Sequence, residues 1–174
     1  VKTNYTVTAH YSKDTSPIIL SIGTTNLNYS ANSAVYAVNH SITPNSPVIQ
    51  GESPTSYSVS PTLPTGLSLD TVTGIITGTP SITQTSANYT VTGVFAGAVG
   101  SVDRVVSIGV GNVSYATNPV VYLVGMPIIN NNPVIVGELP LSYNALSLPT
   151  GLSINTSNGI ITGTPSVQQA NTNH

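Results

Sequence analysis

Few residues in this chain have side chains suited to chemistry. The carboxylates are Asp14, Glu52, Asp70, Asp103 and Glu138, the cations Lys2, Lys13 and Arg104, and the imidazoles His10, His40 and His174. A calcium site would ask most of the carboxylates, because Ca2+ takes roughly six to eight oxygens, several of them ionised. Glu52 and Glu138 each follow a glycine at equivalent points of two similar segments, Pro47-Val48-Ile49-Gln50-Gly51-Glu52 and Pro133-Val134-Ile135-Val136-Gly137-Glu138. Asp70 is the third candidate metal ligand, but its counterpart in the second segment is Asn155, so a shared carboxylate is not maintained there. The stretch 109–116 holds Asn112 and neither Asp nor Glu. The simpler reading gives each carboxylate to backbone N–H groups at a turn.

Catalysis fares worse. A triad needs a nucleophile, a base and an orienting group that converge, and the three histidines have no repeated neighbours suited to that or to a metal site. There is no cysteine, hence neither a disulfide framework nor a thiolate metal site. Ser and Thr make up about a quarter of the residues and serve to solvate strand faces. A pilin-type isopeptide bond requires a lysine beside Asn or Asp, and residues 28–112 contain none. Sugar binding favours flat aromatic platforms, yet Trp is absent, and Tyr recurs in pairs (Tyr29 and Tyr115, Tyr36 and Tyr122, Tyr57 and Tyr143) as core packing would require. Three cations in 174 residues leave no basic footprint for nucleic acid or an anionic membrane. No run of about 18 apolar residues marks a span. The expectation is a non-enzyme without a cofactor.

The elements that would carry these residues are set by a repeat. Leu63-Pro64-Thr65-Gly66-Leu67-Ser68-Leu69-Asp70 through Thr79-Pro80-Ser81 returns as Leu148-Pro149-Thr150-Gly151-Leu152-Ser153-Ile154-Asn155 through Thr164-Pro165-Ser166, with an offset of 85 and no gap. Asn4-Tyr5-Thr6-Val7-Thr8 recurs as Asn88-Tyr89-Thr90-Val91-Thr92, and Ser21-Ile22-Gly23 as Ser107-Ile108-Gly109. Strict alternation in Asn4–Thr8 predicts a strand with Tyr5 and Val7 inward. Ile18–Ile22 reads as a second strand. Apolar runs such as Val120-Val121-Tyr122-Leu123-Val124 have strand length, and short strands between Gly, Pro and Asn turns signal a sandwich or barrel. No window holds helical periodicity for three turns. The fold class is all-β.

The turn residues and the Tyr-Thr-Val-Thr strand together resemble the "putative Ig" repeats of bacterial surface proteins, which are related to cadherin-like modules. The resemblance covers both copies and implies tandem Ig-like β-sandwich modules on an extracellular or cell-surface protein. In such relatives the positions of Glu52 and Glu138 often hold a calcium ligand. By alignment, residues 1–27 are the C-terminal strands of a preceding or complementing module, 28–112 a complete module, and 113–174 a module lacking its last two strands. A sandwich short of two strands exposes its core and leaves unpaired edges, so it calls for completion, covalently or by another chain. The expected function is therefore a structural repeat of an extracellular fibre, stalk or adhesin, with neighbouring copies of the module as head-to-tail partners and strand complementation as one mode of assembly. The alternative is an adhesin module that binds a sugar or protein ligand, or makes a calcium-dependent contact, at its loop ends.

Overall fold

The computed structural model describes residues 2–97 and 100–170, all as strands, turns and irregular segments, with no helix among them. The expectations attached to Asn173 and His174 lie outside the described residues. The chain divides into two compact units that do not coincide with the sequence repeats. Unit 1 is Val1–Ala34, Asn39–Ser81 and Ala87–Ile108; unit 2 is Val35–Val38, Ile82–Ser86 and Gly109–His174.

Unit 1 opens with β1 (Thr3–His10) and β2 (Thr15–Ile22), an antiparallel hairpin in which Tyr5 lies opposite Leu20 and Val7 opposite Ile18. Side chains alternate across a strand, so this register collects Tyr5, Val7, Ile18, Leu20 and Ile22 on one face. That face is not covered. Tyr5 and Val7 are 50% and 53% exposed, contrary to the inward orientation expected of them, because a lone hairpin offers no second layer to bury them.

The rest of unit 1 is a closed two-layer module. β3 (Asn26–Tyr29) pairs with β5 (Pro47–Gln50), and β7 (Leu67–Leu69) with β8 (Ile76–Gly78). An antiparallel bridge between Asn45 and Ile76 joins these two ribbons. The facing layer runs β6 (Ser56–Ser60), β9 (Gln84–Val94), β10 (Ser101–Tyr115), with Val59 opposite Val91. In β9 the alternation of apolar and polar residues becomes alternation of burial, with Tyr89, Val91 and Gly93 inward. Gly93 lacks a side chain where Leu27 of the other layer comes close; a Cβ there would touch its Cδ2 at 3.4 Å. The buried core includes Leu27, Tyr29, Tyr57, Leu67, Ile76, Tyr89, Val91, Val106 and Ile108. The run that starts at Tyr29 bends at 30–32, where the Ser107 N–H donates to the Asn32 carbonyl at 2.8 Å, and continues as β4 (Ser33–Ala37), whose residues from Val35 on belong to unit 2.

In unit 2 the described residues from 109 to 170 repeat the first layer. The end of β10 pairs with β11 (Pro133–Gly137), Val113 opposite Ile135, and β12 (Leu152–Ile154) with β13 (Ile161–Gly163). A bridge from Asn131 to Ile161 copies the Asn45 bridge. The counterparts of β4 and β6, residues 119–123 and 142–146, belong to no strand. Backbone adopts a ladder only where a partner ladder exists, so the apolar run Val120–Val124 has strand composition without strand structure.

Candidate functional site

Both units contain the same tyrosine anchor. The Tyr29 hydroxyl donates to the Gly74 carbonyl at 2.6 Å, and the Tyr115 hydroxyl to the Gly159 carbonyl at 2.6 Å. Each glycine lies under a second tyrosine: a Cβ on Gly74 would come within 2.7 Å of the Tyr57 ring, and one on Gly159 within 2.6 Å of the Tyr143 ring. Only glycine admits the ring so close. Burial, with the neighbouring Tyr57, pushes the Tyr29 phenol far above its ordinary value, and burial beside Tyr143 raises Tyr115. Both therefore remain neutral donors. Tyr29→Phe leaves the Gly74 carbonyl inside the module without its donor and is expected to cost about 1–3 kcal/mol. Tyr115→Phe, where the ring is half exposed and water has access, costs less; urea denaturation of the two variants measures the difference.

The carboxylates singled out in the sequence take up local backbone roles. Asp70 Oδ1 accepts the N–H groups of Val72 at 2.8 Å and Thr73 at 2.9 Å, and those bonds hold its carboxyl below the usual range. Asn155 makes the same turn through its amide oxygen, with Ser157 at 2.9 Å and Asn158 at 3.2 Å. The turn needs an oxygen, not a charge. Glu138 accepts the Ser86 N–H, which lowers its pKa, and its stem fills the space left by Gly109. Glu52 lies beside Gly23 and Lys2 in the equivalent place, with its main-chain carbonyl taking the Thr25 hydroxyl at 2.8 Å. Among the described residues no three of His, Cys, Asp and Glu gather into a set that would hold a metal ion. Two of the three candidate carboxylates are thus engaged by N–H donors.

A folded-state pKa below the unfolded value means stability that is present at higher pH and lost on acidification. The Asp70 contribution is complete above the usual value of 3.8 and disappears as pH falls from there through the lowered folded value. Asp70→Asn is expected to remove this dependence. Thermal melts from neutral pH to below about pH 4 should show the wild-type transition falling more steeply than that of the variant.

Unit 2 holds a groove of about 740 Å3 over one face of β12 and β13. Tyr115, Asn118, Leu148, Leu152 and Ile161 line it, and among the described residues none of the lining is charged. In unit 1 the matching Tyr29, Leu63, Leu67 and Ile76 are buried; in unit 2 Tyr115, Leu148, Leu152 and Ile161 remain half exposed. At its edge is an anomaly that sequence comparison did not pick out. Asn45 Oδ1 accepts the Ser30 hydroxyl at 2.8 Å and the Ala31 N–H at 2.9 Å, while its Nδ2 donates to the Ala31 carbonyl at 2.7 Å. Asn131 keeps one of these bonds, from Nδ2 to the Thr117 carbonyl at 3.0 Å, but its buried Oδ1 has no partner among the described residues. The signal was present in the chain: Ser30 aligns with Ala116, which has no hydroxyl to give.

Two-layer packing, Asx turns and the paired tyrosine anchors define an all-β protein built of tandem Ig-like modules. The family model described as Putative Ig domain matches the chain twice, over residues 16–111 and 112–174. The chain belongs to that family. No curated protein matches it in sequence. Among the described residues no helix is long and apolar enough to cross a membrane.

Proposed function

We propose that this chain is a structural segment of an extracellular or cell-surface fibre, stalk or adhesin, in which Ig-like modules follow one another head to tail and strand complementation completes the open ones. One observation carries the reading. The apolar face of the β1–β2 hairpin is uncovered, while the half-core of unit 2 is open along its groove. Each lacks what the other supplies. The function is mechanical, with main-chain ladders and continuous cores bearing load along the axis, and the low charge lets modules pack with little repulsion. A donor in one segment and an acceptor in another make a head-to-tail contact, which propagates as an open filament where the rotation between copies does not close. Electron microscopy and sedimentation of the full chain, with and without residues 1–27, test this. Filaments or linear oligomers that depend on residues 1–27 are expected; dispersed single particles from the full chain would refute it.

A further inference from the structure

Resting on that head-to-tail reading, we infer that the groove of residues 115–170 is the receptor for the β1–β2 hairpin of a second copy, and that docking turns 119–123 and 142–146 into strands flanking it. The occupant follows from the closed module in unit 1. There Leu67 of β7 and Ile76 of β8 are buried, and Tyr89 and Val91 of β9 and Val106 and Ile108 of β10 are at most 4% exposed. An offset of 84 maps Tyr89 and Val91 onto Tyr5 and Val7, and an offset of 86 maps Val106 and Ile108 onto Leu20 and Ile22. The hairpin register places all four on one face, and their exposures lie between 47% and 53%. The change of offset falls in the loop between the strands, so it shortens the turn and leaves the ladder intact. A neutral apolar face meets a groove with no charged residue among its described lining.

The flanking edges are equally specified. In unit 1, β6 pairs with β9 so that Val59 faces Val91 and Tyr57 faces Gly93. The same register sets Ala145 against Val7 and Tyr143 against Ala9 of the incoming hairpin. Ser107 donates its N–H to the Asn32 carbonyl, so Ser21 of the partner would donate to the carbonyl of Asn118, a residue on the groove wall. Pinning Asn118 draws in the residue before it. In unit 1 the corresponding bend directs the Ala31 N–H to Asn45 Oδ1. The equivalent Thr117 N–H would then reach the orphaned Asn131 Oδ1, which accounts for a buried acceptor with no donor in the open module. Apolar burial drives the docking and the main-chain ladders fix its register.

The chain has no cysteine, which permits a register test in the full-length protein. Val7→Cys in one preparation and Ala145→Cys in another are mixed and oxidised, with Thr6→Cys plus Ala145→Cys as the opposite-face control. A mixed disulfide dimer is expected in at least about tenfold excess over the control, because a disulfide tolerates only a narrow range of Cβ separations. Equal yields, or no dimer from either mixture, would overturn the docking. Sedimentation of the unmodified chain reads the head-to-tail reading separately: linear oligomers without register-selective cross-linking would leave that reading standing and sink this one. A chain carrying both Val7→Cys and Ala145→Cys that yields only an intrachain disulfide, with no intermolecular dimer, would sink both. Hydrogen exchange in the unmodified chain gives a readout free of substitutions. Amides of 120–123 and 142–146 should gain protection as concentration rises, and protection that does not change would also overturn the docking.

Discussion

Gly78→Ala and Gly163→Ala are each expected to destabilise their module by about 3 kcal/mol or more, and by equal amounts. Gly78 has φ +129° and Gly163 φ +126°, a region that L side chains rarely adopt. A Cβ at Gly78 would lie 2.1 Å from the Gly66 carbonyl oxygen, and one at Gly163 the same distance from that of Gly151. Those oxygens accept the N–H groups of Thr79 at 2.9 Å and Thr164 at 3.0 Å, which close the ribbon. Relieving the clash means breaking that bond and the pairing of Leu67 with Gly78, or of Leu152 with Gly163. At about 4–8 °C per kcal/mol for a module of this size, the melting transition should fall by more than about 10 °C. Calorimetry of the full chain measures both variants. Equality is the informative part: the ribbon is complete in each unit, so its local strain owes nothing to whether the rest of the module is present.

That independence explains why the repeated ribbon was the most legible part of the sequence. Its determinants act within a few residues: prolines and glycines that set backbone angles, and an Asx oxygen at 70 or 155 that accepts two N–H groups. Asp70 and Asn155 look like a lost carboxylate in sequence and prove to be the same turn. The alternation in β9 was equally readable, because a partner layer exists to convert it into burial. The identical alternation in β1 predicted an inward face that nothing covers. The run Val120–Val124 read as a strand and is irregular, since pairing belongs to two segments and composition describes one. Glu138 illustrates a different limit. Its glycine context marked it as a ligand position, but the Ser86 N–H it accepts is 52 residues away and no local pattern announces it. Legibility thus decreases as the distance along the chain to the deciding partner grows.

Ile76→Ala and Ile161→Ala, at the same position of the two copies, should part widely in the dispersed chain. Ile76 is fully buried between the two layers, and removing its outer carbons there is expected to cost about 2–5 kcal/mol, the transfer loss plus an unfilled cavity. Ile161 lies on the groove wall and is half exposed, so the truncated atoms were already partly in water and no closed cavity forms. Its cost should be about 1 kcal/mol. A docked hairpin would change the second figure alone, because it would bury Ile161 as Ile76 is already buried in the closed core. Chemical denaturation at rising chain concentration should therefore bring the Ile161→Ala penalty up towards that of Ile76→Ala, with the latter unchanged. Equal penalties at the lowest concentration would mean that the second unit closes its core without a donor, and a gap that persists at every concentration would mean that nothing enters the groove.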